Sequence, residues 1–195
     1  AGLFLQEKLS DLDGAVAEFE RALAVTYDHL PAVRPFADIA FRNESWDRAE
    51  GLLDIIVERL DASEESSELC RQFYRLGYVC EKVGKEAKAL KSYQRAYELD
   101  ATYLPALEGL GTALNKAGRY DDAAKIYHAI LIHHRDGLTD AEVVDYYQQL
   151  ATLNFKLGQN DRAKKNLEKA RELDTAHSPS LRLLSDIHLN ESRFE

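Results

Sequence analysis

At 195 residues, with 45% hydrophobic and 30% charged side chains, the chain carries too much apolar surface for a disordered acidic segment and is long enough for one large domain or two small ones. Its net charge of -9 sets most of the surface against a phosphate backbone, so nucleic acid is not an expected partner. No apolar run approaches the roughly 20 residues that cross a bilayer, and the opening AGLFLQEKLSDLDG lacks the basic start and long apolar stretch of a secretory signal, so no membrane insertion is expected.

In chain order, residues 1–29 read as an incomplete first helical hairpin that opens inside a helix, with Ala15, Phe19 and Ala22 at i, i+4, i+7 marking an amphipathic second helix. Residues 30–69 form the next copy, in which Pro31 stands where a helix begins and a missing backbone N–H costs nothing. There Ala49, Leu53 and Ile56 repeat the triplet, and ASEESSE adds length at the end. Residues 70–103 carry Ala89, Tyr93 and Ala96; residues 104–143 carry Ala123 and Tyr127 and close on a second insertion, DGLTDA. Thr139 with Glu142 reads as a capping box, so this insertion is expected to lengthen the following helix. Residues 144–177 hold Ala163, Leu167 and Ala170, and residues 178–195 stop partway through another copy, where the first four residues of ESRFE match AGRY of the 104–143 copy.

The alanines Ala15, Ala49, Ala89, Ala123 and Ala163 are spaced 34, 40, 34 and 40 apart, which makes a superperiod of 74. Pro31, Pro105 and Pro179 keep the same interval. The six extra residues fall between the second helix of one hairpin and the first of the next. Small alanines at these positions let two backbones approach within about 8 to 10 Å, with Tyr93, Tyr127 and Trp46 filling the space beside them.

Cys70 and Cys80 lie ten residues apart on one expected helix, so their Cα atoms sit about 15 Å apart, beyond the roughly 4.4 to 6.8 Å of a disulfide. Two free thiols point to a reducing, cytoplasmic setting. A chain that starts at Ala1 without any methionine reads as an excised fragment. Leu3, Phe4, Leu184 and Ile187 would then face open ends, which predicts further repeats on both sides and end-to-end self-association of the fragment.

A 34-residue period with Phe73, Leu76, Gly77, Ala89, Tyr93 and Ala96 in one copy and Leu107, Leu110, Gly111, Tyr120, Ala123 and Tyr127 in the next resembles the tetratricopeptide repeat. The resemblance covers the whole chain. It departs from the pattern where Ala101 and Thr175 replace a closing proline and Ala37 replaces a glycine, which softens turns without removing helices. It implies an all-α fold, an α-α superhelix or solenoid of helical hairpins, whose first helices line a concave groove that binds peptides.

With positions 4, 7, 8 and 11 of each first helix buried, positions 2, 6, 9 and 13 point away from the core. Position 13 holds Lys8, Arg42, Lys82, Lys116 and Lys156; cations in a last turn also complement the helix dipole, and the resemblance makes lysine ordinary there. On the 70–103 copy, Arg71, Arg75, Tyr78 and Lys82, with Tyr74 beside them, make the expected peptide-binding face, able to fork-bind a carboxylate or stack on an aromatic residue. Arg71 and Arg75 match two places of the carboxylate clamp with which some tetratricopeptide domains grip the acidic C-termini of heat-shock chaperones, but Phe4 and Pro35 stand where that clamp has asparagines.

His128, His133 and His134 fall on different helical faces and predict no metal site. The string GLG at 109–111 lacks the third glycine of a nucleotide loop and lies inside a helix. Asp121 and Asp122 read as a helix start. With no catalytic set and no cofactor motif, the expectation is a non-enzymatic scaffold that takes another protein or peptide, the alternative being a structural spacer or self-association module. RNA-binding helical repeats are disfavoured by the acidic charge.

Overall fold

The computed structural model describes residues 12–60 and 66–192, and among them every regular element is helical. Two compact units divide at 101/102. In the first lie α1 (Leu12–Val25), α2 (Leu30–Arg42), α3 (Trp46–Arg59), α4 (Ser66–Lys82) and α5 (Glu86–Leu99). In the second lie α6 (Leu104–Lys116), α7 (Tyr120–His133), a 3₁₀ turn (Arg135–Gly137), α8 (Asp140–Lys156), α9 (Asn160–Leu173) and α10 (Ser178–Glu191). Among the described residues no helix is long and apolar enough to cross a membrane. Leu3, Phe4 and Lys8 lie outside the described residues, as does most of the first insertion.

Within each unit, consecutive helices pack as antiparallel hairpins, α2 on α3 and α4 on α5 in the first, α6 on α7 and α8 on α9 in the second. Pro31, Pro105 and Pro179 each sit in the first turn of their helix. The repeated alanines Ala15, Ala49, Ala89, Ala123 and Ala163 are all fully buried, so each marks a place where no larger side chain fits between paired helices. Gly77 and Gly111 do the same on the first helices, lying against the rings of Tyr93 and Tyr127.

The hairpins α4–α5, α6–α7 and α8–α9 turn at Gly84, Gly118 and Gly158, with φ of 76°, 73° and 71°. At the last of these the Gln159 N–H reaches back to Asn154 O at 2.8 Å and the Gly158 N–H to Phe155 O at 3.0 Å. Two such bonds close the end of the first helix through a residue in the left-handed region. The α2–α3 turn makes the same pair of bonds but carries Glu44 there, at φ 55°.

α4 and α8 run for 17 residues against 13 for α2 and α6. The Thr139 hydroxyl accepts from the Glu142 N–H at 3.3 Å while Glu142 Oε2 accepts from the Thr139 N–H at 2.8 Å, so the second insertion feeds a longer, capped helix. Residues 66–68, the tail of the first insertion, form the opening turn of α4.

One sequence expectation is extended and another changes. First helices bury a second stripe beside positions 4, 7, 8 and 11: Ile39, Val79, Ala113, Leu153 and Ile187, all at position 10, are at most 7% exposed. Within the second unit, Ile187 of that stripe packs against the preceding hairpin. For the same reason Ile187 does not face an open end: it is fully buried with Leu183 against Ala151, Ala163 and Leu167, and Leu184 packs beside that cluster. The outward apolar residues of α10 are Leu181 and Leu189.

Candidate peptide-binding faces

In the first unit the face expected to bind peptide is built on an aromatic triangle. The Phe41, Trp46 and Tyr78 rings, from α2, α3 and α4, meet pairwise at 5.7, 5.7 and 5.8 Å between centroids, with the edge and tilt geometries that aromatic quadrupoles favour. Cations rest on two of its rings: the Arg75 guanidinium lies 4.8 Å from the Phe41 centroid and Lys82 Nζ 5.0 Å from that of Tyr78. Such stacking fixes each cation while leaving its outer side to donate.

Carboxylates already touch both arginines. Arg75 Nη1 pairs with Asp38 Oδ1 at 2.8 Å and donates to Gln72 Oε1 at 3.3 Å. Arg71 donates from Nε and Nη2 to Glu68 Oε2 at 3.0 and 2.6 Å, and Gln72 Nε2 donates to Glu68 Oε1 at 2.6 Å. The amide of Gln72 and then the Arg71 guanidinium hold the Glu68 carboxyl below its usual range against the opposing pull of burial. Arg71 remains 55% exposed and Arg75 only 19%, so the first is an adaptable arm and the second a seated one.

Tyr74 turns away from this row towards the hairpin, its ring 6.1 Å from that of Tyr93. Arg42 is exposed at the end of α2 and Lys82 at the end of α4. Lys116 and Lys156 belong to the second unit, where Lys156 Nζ donates to Asn115 Oδ1 at 3.1 Å and rests 4.7 Å above the Tyr120 ring.

The first-helix face of the second unit has the opposite charge. Glu108, Glu142 and Asp145 line a cavity of about 300 Å³ with Tyr127 and Tyr146. Tyr146 donates its hydroxyl to Glu108 Oε1 at 2.5 Å, and burial together with that carboxylate pushes its phenol well above the ordinary range. Sequence reasoning centred on the cationic face of the 70–103 copy and the row at position 13 and missed this reversal, although Asp145 stands at position 2, where the 70–103 copy has Arg71.

Elsewhere, Gly111 meets Tyr127 and so serves packing; Asp121 and Asp122 both pair with Lys125 in the first turn of α7. Among the described residues no three His, Cys, Asp or Glu side chains stand together as a metal site. Both cysteines are buried in α4, Cys70 donating to Ala96 O at 3.3 Å.

Residues 82–150 and 144–177 each match a family model described as tetratricopeptide repeat. No curated protein matches the sequence. Among solved structures, the chain is similar to YrrB, described as a TPR protein with an unusual peptide-binding site, with TM-score 0.70 and 22% identity over 93% of this chain and 87% of that one. It is similar to MamA, with TM-score 0.67 and 22% identity over 89% and 94%. The first TPR of Spaghetti (RPAP3), bound to the HSP90 peptide SRMEEVD, superposes with TM-score 0.54 and 17% identity over 65% of this chain and 95% of that one.

Proposed function

We propose that this chain, which belongs to the tetratricopeptide repeat family, is a non-catalytic protein-interaction scaffold whose first unit receives an acidic or aromatic peptide segment of a partner protein. The observation that carries the reading is the seating of Arg75 on the Phe41 ring beside Tyr78 and Lys82, with Arg71 and Arg42 exposed nearby. A pre-stacked guanidinium loses little freedom when it takes a carboxylate. The Arg71–Glu68 pair is solvent-exposed and worth at most about 1 kcal/mol, so a ligand carboxylate exchanges for it at little cost. Tyr74 supports the face through Tyr93, and Lys116 offers a separate cation in the second unit. That a structure of the same fold holds the acidic peptide SRMEEVD adds weight to the class of ligand.

Fluorescence anisotropy with labelled SRMEEVD at low salt tests the reading. Arg71→Glu with Arg75→Glu is expected to weaken binding at least tenfold with helical content unchanged, and raised salt to weaken it further. Equal binding by wild type and double variant overturns the assignment.

The self-association reading is favoured by one observation: Leu181 and Leu189 of α10 are 42% and 58% exposed. Sedimentation that stays monomeric at high concentration rejects it.

A further inference from the structure

The 74-residue interval that carries Pro31 onto Pro105 also carries one groove onto another. In the first unit, α3 and α5 flank a trough of about 610 Å³ floored by Phe73 and Leu76 of α4. Along α5 it presents Lys88, Lys91 and Arg95. Two carboxylates of α3 engage the first of these cations: Lys88 Nζ lies 2.7 Å from Glu50 Oε1 and 2.6 Å from Asp54 Oδ2, and Glu50 Oε2 also holds Lys85 Nζ at 2.6 Å, while Arg95 pairs with Glu98 of α5 at 2.6 Å.

In the second unit, α7 and α9 flank a trough of about 510 Å³ with Asn154 of α8 contributing to its wall. Seventy-four residues on, Lys88, Lys91 and Arg95 become Arg162, Lys165 and Lys169, so the cations are kept. Glu50 and Asp54 become Ala124 and His128, so both carboxylates are gone. The contacts of two of these cations are with neutral groups: Arg162 Nη1 donates to Gln159 Oε1 at 2.9 Å, and Lys169 Nζ rests 5.3 Å from the Tyr147 centroid. None of Arg162, Lys165 and Lys169 forms an ion pair among the described residues. The acids on this wall, Glu168 and Glu172, belong to α9 itself, and Asp121 across the trough is held by Lys125. Burial first, and then Lys169 and Arg162, press the His128 imidazole towards its neutral form, the two cations because like charges disfavour the protonated ring.

We propose that the trough between α7 and α9 is a second binding site, for an acidic peptide segment whose carboxylates take the places that Glu50 and Asp54 fill in the first unit. Arg162, Lys165 and Lys169 recur at i, i+3, i+7, a stripe about 10 Å long on one helix face. A single small anion covers only part of such a stripe. The missing partners stand four residues apart on a helix, so the ligand presents two carboxylates about 6 Å apart, as an acidic i, i+4 pair on a helix does. This site does not depend on the first-unit face.

The probe is labelled hexaglutamate titrated into the full chain, followed by anisotropy and by the imidazole resonances of His128, with His29 of the first unit as internal control. The expected result is movement of the His128 signals with His29 still, in wild type and equally in the Arg71→Glu, Arg75→Glu variant. In that same background, Ala124→Glu with His128→Asp, which restores the two carboxylates, is expected to lower hexaglutamate affinity at least tenfold. Arg162→Gln with Lys165→Gln and Lys169→Gln is expected to abolish the His128 shift while circular dichroism stays unchanged. Inorganic phosphate at equal concentration is expected to move His128 less than hexaglutamate. His128 signals that stay fixed at saturating peptide, a restored-carboxylate variant that binds as before, or phosphate that equals the peptide each overturns the proposal.

Discussion

The Tyr93 ring occupies the volume that any side chain on Gly77 needs: a Cβ at Gly77 would come within 2.7 Å of Tyr93 Cδ1 and Cε1. The ring cannot yield, because Tyr93 is 1% exposed and its hydroxyl donates to Glu81 Oε2 at 2.7 Å. Gly77→Ala is therefore expected to destabilise the protein by roughly 1 to 3 kcal/mol through overpacking, despite alanine's better helix propensity. At Gly111 the nearest Tyr127 atom is 3.0 Å away, and Gly111→Ala is expected to cost less. Urea unfolding of both variants gives the order; a Gly77→Ala protein as stable as wild type refutes the close contact.

Glu44 holds the left-handed place that glycine fills at three other turns. A side chain there costs about 1 kcal/mol or more, partly offset in a Gly variant by the freedom of its unfolded chain. Glu44→Gly is thus expected to stabilise by roughly 0.5 to 1 kcal/mol in thermal or chemical unfolding. Destabilisation would show that the turn needs the glutamate side chain.

Glu50 is 5% exposed. Burial alone would raise its carboxyl, but hydrogen bonds from Lys85 and Lys88 outweigh it and hold the carboxyl below its ordinary 4.5. A lowered folded-state pKa gives stability that is present above pH 4.5 and lost as pH falls through the folded value. Glu50→Gln is expected to cost roughly 1 to 3 kcal/mol at neutral pH, with the gap to wild type narrowing below that point. A gap that is constant with pH contradicts the pairing.

The two thiols are both buried, and desolvation pushes each up to about 11. Thiolate is the reactive form. Native protein at pH 8 is expected to react with a disulfide reagent at least a hundredfold more slowly than the unfolded chain, at both positions. Fast reaction of one equivalent would reveal local opening of α4.

Much of the hairpin pattern was legible because it is repetitive: Ala15, Ala49, Ala89, Ala123 and Ala163, the three prolines and the Thr139–Glu142 box all report local geometry. What was not legible depends on neighbours far along the chain. Periodicity shows that Ile187 avoids water but not which hairpin shields it. Arg75 looks like a surface cation until Asp38, 37 residues earlier, is brought to 2.8 Å by the packing of α2 on α4. The acidic second-unit face was within reach, since Glu108 and Asp145 stand on outward turns; attention to one row of lysines hid it.

Within each unit, helices whose contacts lie with the next one or two helices along the chain shorten the search by which the chain finds its form. Every contact closes a loop of a few dozen residues, so the entropy spent before attraction begins is small. Collapse can start at any adjacent pair and spread outward, and partly zipped intermediates are natural stations on that route.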